Sequence, residues 1–327
     1  MTNLINQNYN SKYTSIAVSG CIARDQLMVT SSCFAKNIDI KEVFNVTFPV
    51  KQMEDRLGGN ATNLSYGLSF FANKPIRILG SVGYDGQDFI QFFESKNILT
   101  DSIFIDNKLR TAVATCLTDH NPDSQNSQIW SFYFGATTNS IKIDFDKYID
   151  TQTLVILAAD DDTTFVKRQQ QCQDHKIDYV YDCGMMLTDR VDPNKLKQGI
   201  LGSKFVVVNE YEMKLIEQKL NLNIDQILSA GICIIITKGS NGVEYKSVLE
   251  KYFVPSYPTK CVDPVGAGDS WRGGFFGSLV AGKSVLESLI WGNVIASFCV
   301  ENIGGCAYKP SQKQMQQRFN EISLTVF

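Results

Sequence analysis

Short, continuous apolar runs alternate along this chain with longer stretches of mixed character. Residues 15–20, 76–82, 154–158, 179–181, 205–208 and 232–237 are apolar runs of strand length. Where such runs do not alternate with polar residues, they predict strands buried on both faces of a parallel sheet. Residues 60–71, 88–96, 163–174 and 210–219 read as helices between them, with Leu64, Leu68 and Phe71 on one face of the first. Two long helical patterns follow, near 267–281 and 285–300. This order predicts an α/β fold, a central mostly parallel sheet flanked by helices.

Two segments break the rhythm. Residues 25–48 and 111–134 are rich in β-branched and aromatic side chains, with strands expected at 103–105, 111–118 and 128–134 and a polar loop at 120–126. They predict a small β-sheet lid. The expected organisation is one α/β domain over 1–327, with the lid formed by insertions at about 25–50 and 108–136.

Composition narrows the function classes. The chain has 327 residues, 44% hydrophobic and 20% charged, with a net charge of -3. That is ordinary for a globular protein and offers no basic field to nucleic acid. The first dozen residues are polar and Asn-rich, without the basic start and apolar run of a signal peptide. No apolar run approaches the length that spans a bilayer. We therefore expect a cytoplasmic protein with a loose N-terminal tail and neither membrane nor nucleic-acid partners. The nine cysteines form no C-x-x-C pair and there are two histidines, His120 and His175. They read as reduced, small apolar residues rather than as a zinc site or disulfide frame.

The sharpest chemical signal is the run Asp263-Pro264-Val265-Gly266-Ala267-Gly268-Asp269, which follows an extended segment and opens a helix. Two glycines one residue apart let the backbone turn tightly against a ligand. The free amides of a helix start bind anions. A carboxylate there, Asp269, is placed to take a proton from a hydroxyl during phosphoryl transfer, while the amides of Gly266, Ala267 and Gly268 form an anion hole. The structural alternative is a glycine turn with Asp269 capping the helix. Gly273, Gly274 and Gly277 continue into the helix at a cost of about 1 kcal/mol each relative to Ala, which points to close backbone packing. No Lys-Ser/Thr pair follows the glycines, so this is not a Walker A loop.

The run 263–269 resembles the C-terminal signature of the ribokinase-like (PfkB) family of carbohydrate and nucleoside kinases. Gly58-Gly59-Asn60-Ala61-Thr62-Asn63 resembles the family's N-terminal signature, about two hundred residues earlier. The resemblance covers nearly the whole chain and implies a ribokinase-like fold and an ATP- and Mg²⁺-dependent small-molecule kinase.

It also implies roles residue by residue. Gly58, Gly59 and Asn63 would contact sugar hydroxyls, as would Asp25, at the carboxyl side of the first strand, where open α/β sheets bind ligands. Cys21 stands where the family has a small residue near the sugar. Asn209 and Glu212 match an N-x-x-E motif associated with Mg²⁺ through water; a helix cap with an acidic first turn is an equally sound reading of the residues alone. Thr237, Gly239 and Gly242, in the turn after 232–237, would contact ATP, with Asn293 at the adenine. Asp182 also ends a strand, where a carboxylate can help to position phosphate or metal. Many members use K⁺ beside the anion hole, and here Asp263, Val265 and the Gly304-Gly305 loop would supply oxygens. The lid also suggests a homodimer.

Within the family, the stretches 17–28, 111–116 and 131–136 look closest to bacterial-type adenosine kinases, whose lids stack a purine between aromatic side chains. Phe132 matches one aromatic position, and Ala114 occupies the other. The expected reaction is adenosine to AMP. A ribokinase-like sugar kinase, a kinase for inosine or guanosine, and an inactive binding protein that keeps the fold are the alternatives.

Overall fold

A computed structural model describes residues 9–34, 46–71, 73–119, 127–188 and 190–326. The start of the expected tail, the 35–45 part of the first lid insertion and the 120–126 loop lie outside the described residues.

The strands are β1 (Ser15–Ser19), β2 (Ala23–Thr30), β3 (Val50–Gly58), β4 (Ile76–Leu79), β5 (Ser81–Val82), β6 (Ile98–Leu99), β7 (Phe104–Ile105), β8 (Ala112–Thr118), β9 (Gln128–Tyr133), β10 (Thr153–Leu157), β11 (Tyr179–Tyr181), β12 (Phe205–Asn209), β13 (Cys233–Thr237), β14 (Val243–Lys246) and β15 (Lys251–Val254). Nine of them form one sheet, in the order β15-β14-β13-β12-β11-β10-β1-β4-β6. From β6 to β13 every pairing is parallel; β14 and β15 add an antiparallel edge.

The unbroken apolar runs have the burial that a two-faced strand requires. Ile16, Val18, Ile156, Val180 and Val207 enter one core, while Ala17, Val155, Leu157, Tyr181 and Val206 enter the other. The first core is closed by Leu64, Phe89, Phe275, Leu289 and Met315, from the helices Asn60–Ser69, Gln87–Ser95, Ala267–Val280, Val285–Cys299 and Gln312–Val326. The second is closed by Phe165, Leu196, Met213 and Ile227, from Asp162–Asp174, Pro193–Gly202, Glu210–Leu220 and Ile224–Ser229.

Three expectations change in detail. The run 76–82 is two strands, because the chain leaves the main sheet at Gly80 and β5 pairs with β7. The tail is not loose throughout: Tyr9–Lys12 forms a helical turn, and the Tyr9 ring lies 6.2 Å from Tyr13 and 6.1 Å from Phe205. The β14–β15 hairpin was not expected. Of the nine cysteines only Cys261 is exposed, in keeping with their use as small apolar residues. Among the described residues, no helix is long and apolar enough to cross a membrane.

A second sheet, in the order β3-β2-β8-β9, forms the lid. Its register places Arg56, Asp25, Ala114 and Phe132 side by side, one on each strand. Because strand side chains alternate, Leu27, Cys116 and Trp130 share the face of Asp25, while Met28, Met53, Leu117 and Ile129 share the other.

Candidate active site

The helices Asn60–Ser69 and Ala267–Val280 cross backbone to backbone. A Cβ on Gly273 would lie 2.6 Å from Gly67 Cα and 2.6 Å from the Leu64 carbonyl oxygen. Gly273 and Gly277 therefore permit this crossing, which brings the two signature motifs together, while Gly274 lies against Trp291 and Gly292 of the Val285–Cys299 helix.

At the crossing, Asn63 Nδ2 donates to Asp269 Oδ2 at 3.1 Å. Gly266 occupies the N-cap position with φ 75°, a left-handed conformation suited to glycine, so the helix opens without a side-chain cap. Asp269 lies in the first turn and its side chain is turned to Asn63, so it does not cap the helix. Burial raises its pKa above the ordinary carboxylate range, while the Arg272 charge and the Asn63 hydrogen bond oppose that rise.

Asp25 approaches the same place from β2. It is buried, and a Cβ on Gly58 would sit 1.9 Å from its Oδ2, so only glycine fits there. Burial pushes its pKa up to about 7, with the neighbouring Asp269 adding to the rise and the Gly59 amide hydrogen bond opposing it. Cys21 is buried nearby; its amide donates to Asn60 Oδ1 at 2.9 Å and its Sγ lies 3.2 Å from Thr137 Oγ1. Phe132 packs on the small surface of Cys21, Ala23 and Ala112, with its ring 4.8 Å from Phe134.

The ends of β12 and β13 supply the other side, with Asn209 and Thr237 as register partners. Asn209 and Glu212 form a reciprocal capping box: Asn209 Oδ1 accepts from the Glu212 amide and Glu212 Oε2 from the Asn209 amide, both at 2.8 Å. The box fixes the Glu212 carboxylate, whose negative charge favours the protonated forms of Asp182 and Asp269 and the charged form of Arg272. Its all-oxygen donors suit a hard cation held through water. Gly239 and Gly242 have φ of 55° and 107°, and a Cβ on Gly239 would meet nothing within 4 Å. That leaves open space over the turn.

Asn293 is placed differently from the expectation. It is buried; its Oδ1 accepts from Trp271 Nε1 at 2.8 Å and its Nδ2 donates to the Pro255 carbonyl at 2.7 Å. Its amide fastens the last helices to the 254–255 segment. Asp182 likewise turns to Arg272 Nη2, at 2.7 Å.

Asp263 Oδ1 accepts from the Val265 amide at 3.1 Å and its Oδ2 from the Gly304 amide at 2.9 Å. The carboxylate thus ties Gly304 to the turn that opens the Ala267–Val280 helix. The Val265 carbonyl accepts from Cys299 Sγ at 3.5 Å.

Arg272 escaped the sequence reading. Its signal is plain in retrospect: Asp269 and Arg272 are the two charged residues of the glycine-rich helix Ala267–Val280.

The site therefore joins two carboxylates, Asp25 and Asp269, whose pKa values burial raises, and an uncapped, glycine-rich helix start beside a mostly parallel sheet. A nucleoside kinase from Methanocaldococcus jannaschii is 25% identical over 280 residues, covering 85% of this chain and 90% of that protein. A ribokinase from Lactococcus lactis is 21% identical, covering 96% of this chain and 100% of that one. The structure of Burkholderia thailandensis nucleoside kinase in complex with inosine superposes with a TM-score of 0.84 at 24% identity, over 94% of this chain and 97% of that chain. The model of the pfkB family of carbohydrate kinases matches residues 24–312. The fold and site are those of a phosphotransferase with an alcohol group as acceptor. This chain belongs to the pfkB carbohydrate kinase family.

Proposed function

We propose that the chain transfers the γ-phosphoryl group of ATP to the 5′-hydroxyl of a nucleoside, adenosine foremost. The observation that carries this reading is the shared lid face of Asp25, Phe132 and Trp130. Asp25 offers two acceptor oxygens to a pair of ribose hydroxyls. Phe132 and Trp130 offer aromatic surface to a flat base, which a plain sugar does not need. Trp130 is two residues from Phe132 along β9 and 45% exposed, so it can supply the stacking surface that Ala114 lacks.

Asp269 accepts the proton of the attacking hydroxyl as its oxygen bonds to the γ-phosphorus, and the bond to the β-phosphate oxygen breaks to release ADP. The amides of Gly266, Ala267 and Gly268 hold the charge of the moving group. Asn209, Thr237, Gly239 and Gly242 line the nucleotide side. Mg²⁺, when bound, neutralises phosphate charge, and Glu212 with Asn209 would hold it through water. Asp263, Val265 and the 304–305 loop would hold K⁺. The outer lid face exposes Met53 at 54% and Ile129 at 45%, which supports pairing with a second copy; a monomer in sedimentation at micromolar concentration would dismiss that pairing.

The test is ADP release with adenosine, inosine, guanosine, ribose and fructose as acceptors. We expect adenosine to lead in kcat/KM. Ribose turned over as well as adenosine would favour a sugar kinase, for which the small Ala114 is the supporting feature. Inosine or guanosine in the lead would keep the nucleoside and change the base.

A further inference from the structure

Arg272 is buried inside the last glycine-rich helix, three residues after Asp269. Its Nη2 donates to Asp182 Oδ1 at 2.7 Å, and Asp182, at the end of β11, is buried as well. A Cβ on Gly268 would lie 2.9 Å from Arg272 Nη1, so the guanidinium is folded against the anion-hole turn itself. Its Nε is buried with no hydrogen-bond partner. Burying a guanidinium and leaving one donor unsatisfied costs stability, and a packed apolar side chain would cost less. The arrangement calls for a use of the charge.

That use is visible in the surrounding groups. Asp269 lies one helical turn before Arg272, and the other titratable groups whose charge acts on it or is acted on by it are Glu212 on the Glu210–Leu220 helix, Asp25 on β2 and the thiols of Cys299 and Cys306. Asp182 completes a set of carboxylates gathered round one guanidinium. Burial works against the charge of Arg272, but Asp182, Asp269 and Glu212 outweigh it and hold the guanidinium above its usual range. Arg272 is thus the positive charge that opposes the loss of the proton-accepting form of Asp269.

We propose that Arg272, anchored by Asp182 behind the Gly268 turn, is a positioning residue that sets the proton affinity of Asp269 and backs the anion hole with positive charge. Asp182 does two things at once: it orients the guanidinium and it neutralises part of its charge. Removing either partner therefore moves Asp269 in opposite directions. Loss of the cation makes the carboxylate easier to protonate; loss of the competing carboxylate makes it harder.

This rests on Asp269 as the base, so the experiment includes Asp269→Asn. The readout is the single-turnover rate of phosphoryl transfer from ATP against pH, with thermal melting as a check of folding. In Arg272→Gln we expect the acid limb of the profile to move up by about one to three pH units, the range a nearby opposite charge produces. In Asp182→Asn it moves down. Arg272→Lys, which keeps the charge without the fork, returns the limb towards the wild-type position with part of the rate. An acid limb unmoved in all three variants, with Asp269→Asn inactive, overturns this inference and leaves the base in place. Turnover retained by Asp269→Asn overturns both. If Arg272→Gln does not fold, Arg272→Lys and Asp182→Asn decide the matter, and an unmoved limb in Asp182→Asn is sufficient to reject it.

Discussion

Asp25→Asn separates what the substrate site needs from what the fold prefers. The Asp25 carboxyl is buried, and its pKa stands at about 7 against an ordinary value of 3.8. A rise of about three pH units corresponds to about 4 kcal/mol against the ionised form. The sign follows from linkage. Between pH 3.8 and about 7 the folded state keeps the proton and the unfolded state has lost it. Stability from this group therefore falls as pH rises through that window, and it is flat above it. Asparagine removes the charge and keeps an acceptor for the Gly59 amide, so the variant should gain about 1–3 kcal/mol at pH 8 and almost nothing at pH 4. Urea melts at the two values measure this. Substrate hydroxyls donating to the carboxylate reverse the penalty, so binding near pH 6 should release up to one proton. Calorimetry in two buffers of different ionisation enthalpy counts it. The variant should bind substrate about ten- to a hundredfold more weakly, through loss of charge-assisted hydrogen bonds. An Asp25→Asn protein no more stable than wild type at pH 8, together with binding that releases no proton, would refute the reasoning.

Three further outcomes follow from the site. Asp269→Asn should lower kcat by about 10²–10⁴, the usual share of a general base, with acceptor affinity within about tenfold; near-full turnover would remove it from that role. Gly305→Ala would put a Cβ 2.3 Å from Asn63 Oδ1 and so push the amide that holds Asp269; a fall in kcat of about a hundredfold is expected with little change in the KM for ATP, and wild-type kinetics would show that Asn63 yields freely. Replacing K⁺ with choline should slow turnover, and equal rates in both would free Asp263 and Val265 from any cation role.

The sequence revealed most where local pattern and chemistry coincide. The runs 205–208 and 232–237 are apolar because both faces of β12 and β13 are buried, and that can be read without knowing the neighbours. The glycines of 266–277 announced a close approach, although not its partner, Gly67. Asn209 and Glu212 supported two readings, and the capping box now on view is compatible with both. What stayed hidden depended on register. That Trp130 shares a face with Asp25 follows only once β9 is paired with β8, and β8 with β2. Likewise, the Asn293 amide is spent on Trp271 and on 254–255, contacts that no spacing in the chain predicts. The β14–β15 hairpin was missed because four-residue strands at a sheet edge carry little periodic signal.

The crossing of the Asn60–Ser69 and Ala267–Val280 helices bears on how the protein is made. Asn63 and Asp269 meet across 206 positions, and the helices that carry them touch without intervening side chains. A chain emerging from the ribosome therefore has Asn63 early and Asp269, the proton acceptor proposed above, only after most of its length has been translated. Until the second helix docks, the Gly266 turn has nothing to pack on, and a hydroxyl bound at Asp25 has no base beside it. Fragments ending before residue 266 should thus be silent rather than weakly active. On that reading chemical competence in this fold arrives late, with the docking of the second helix.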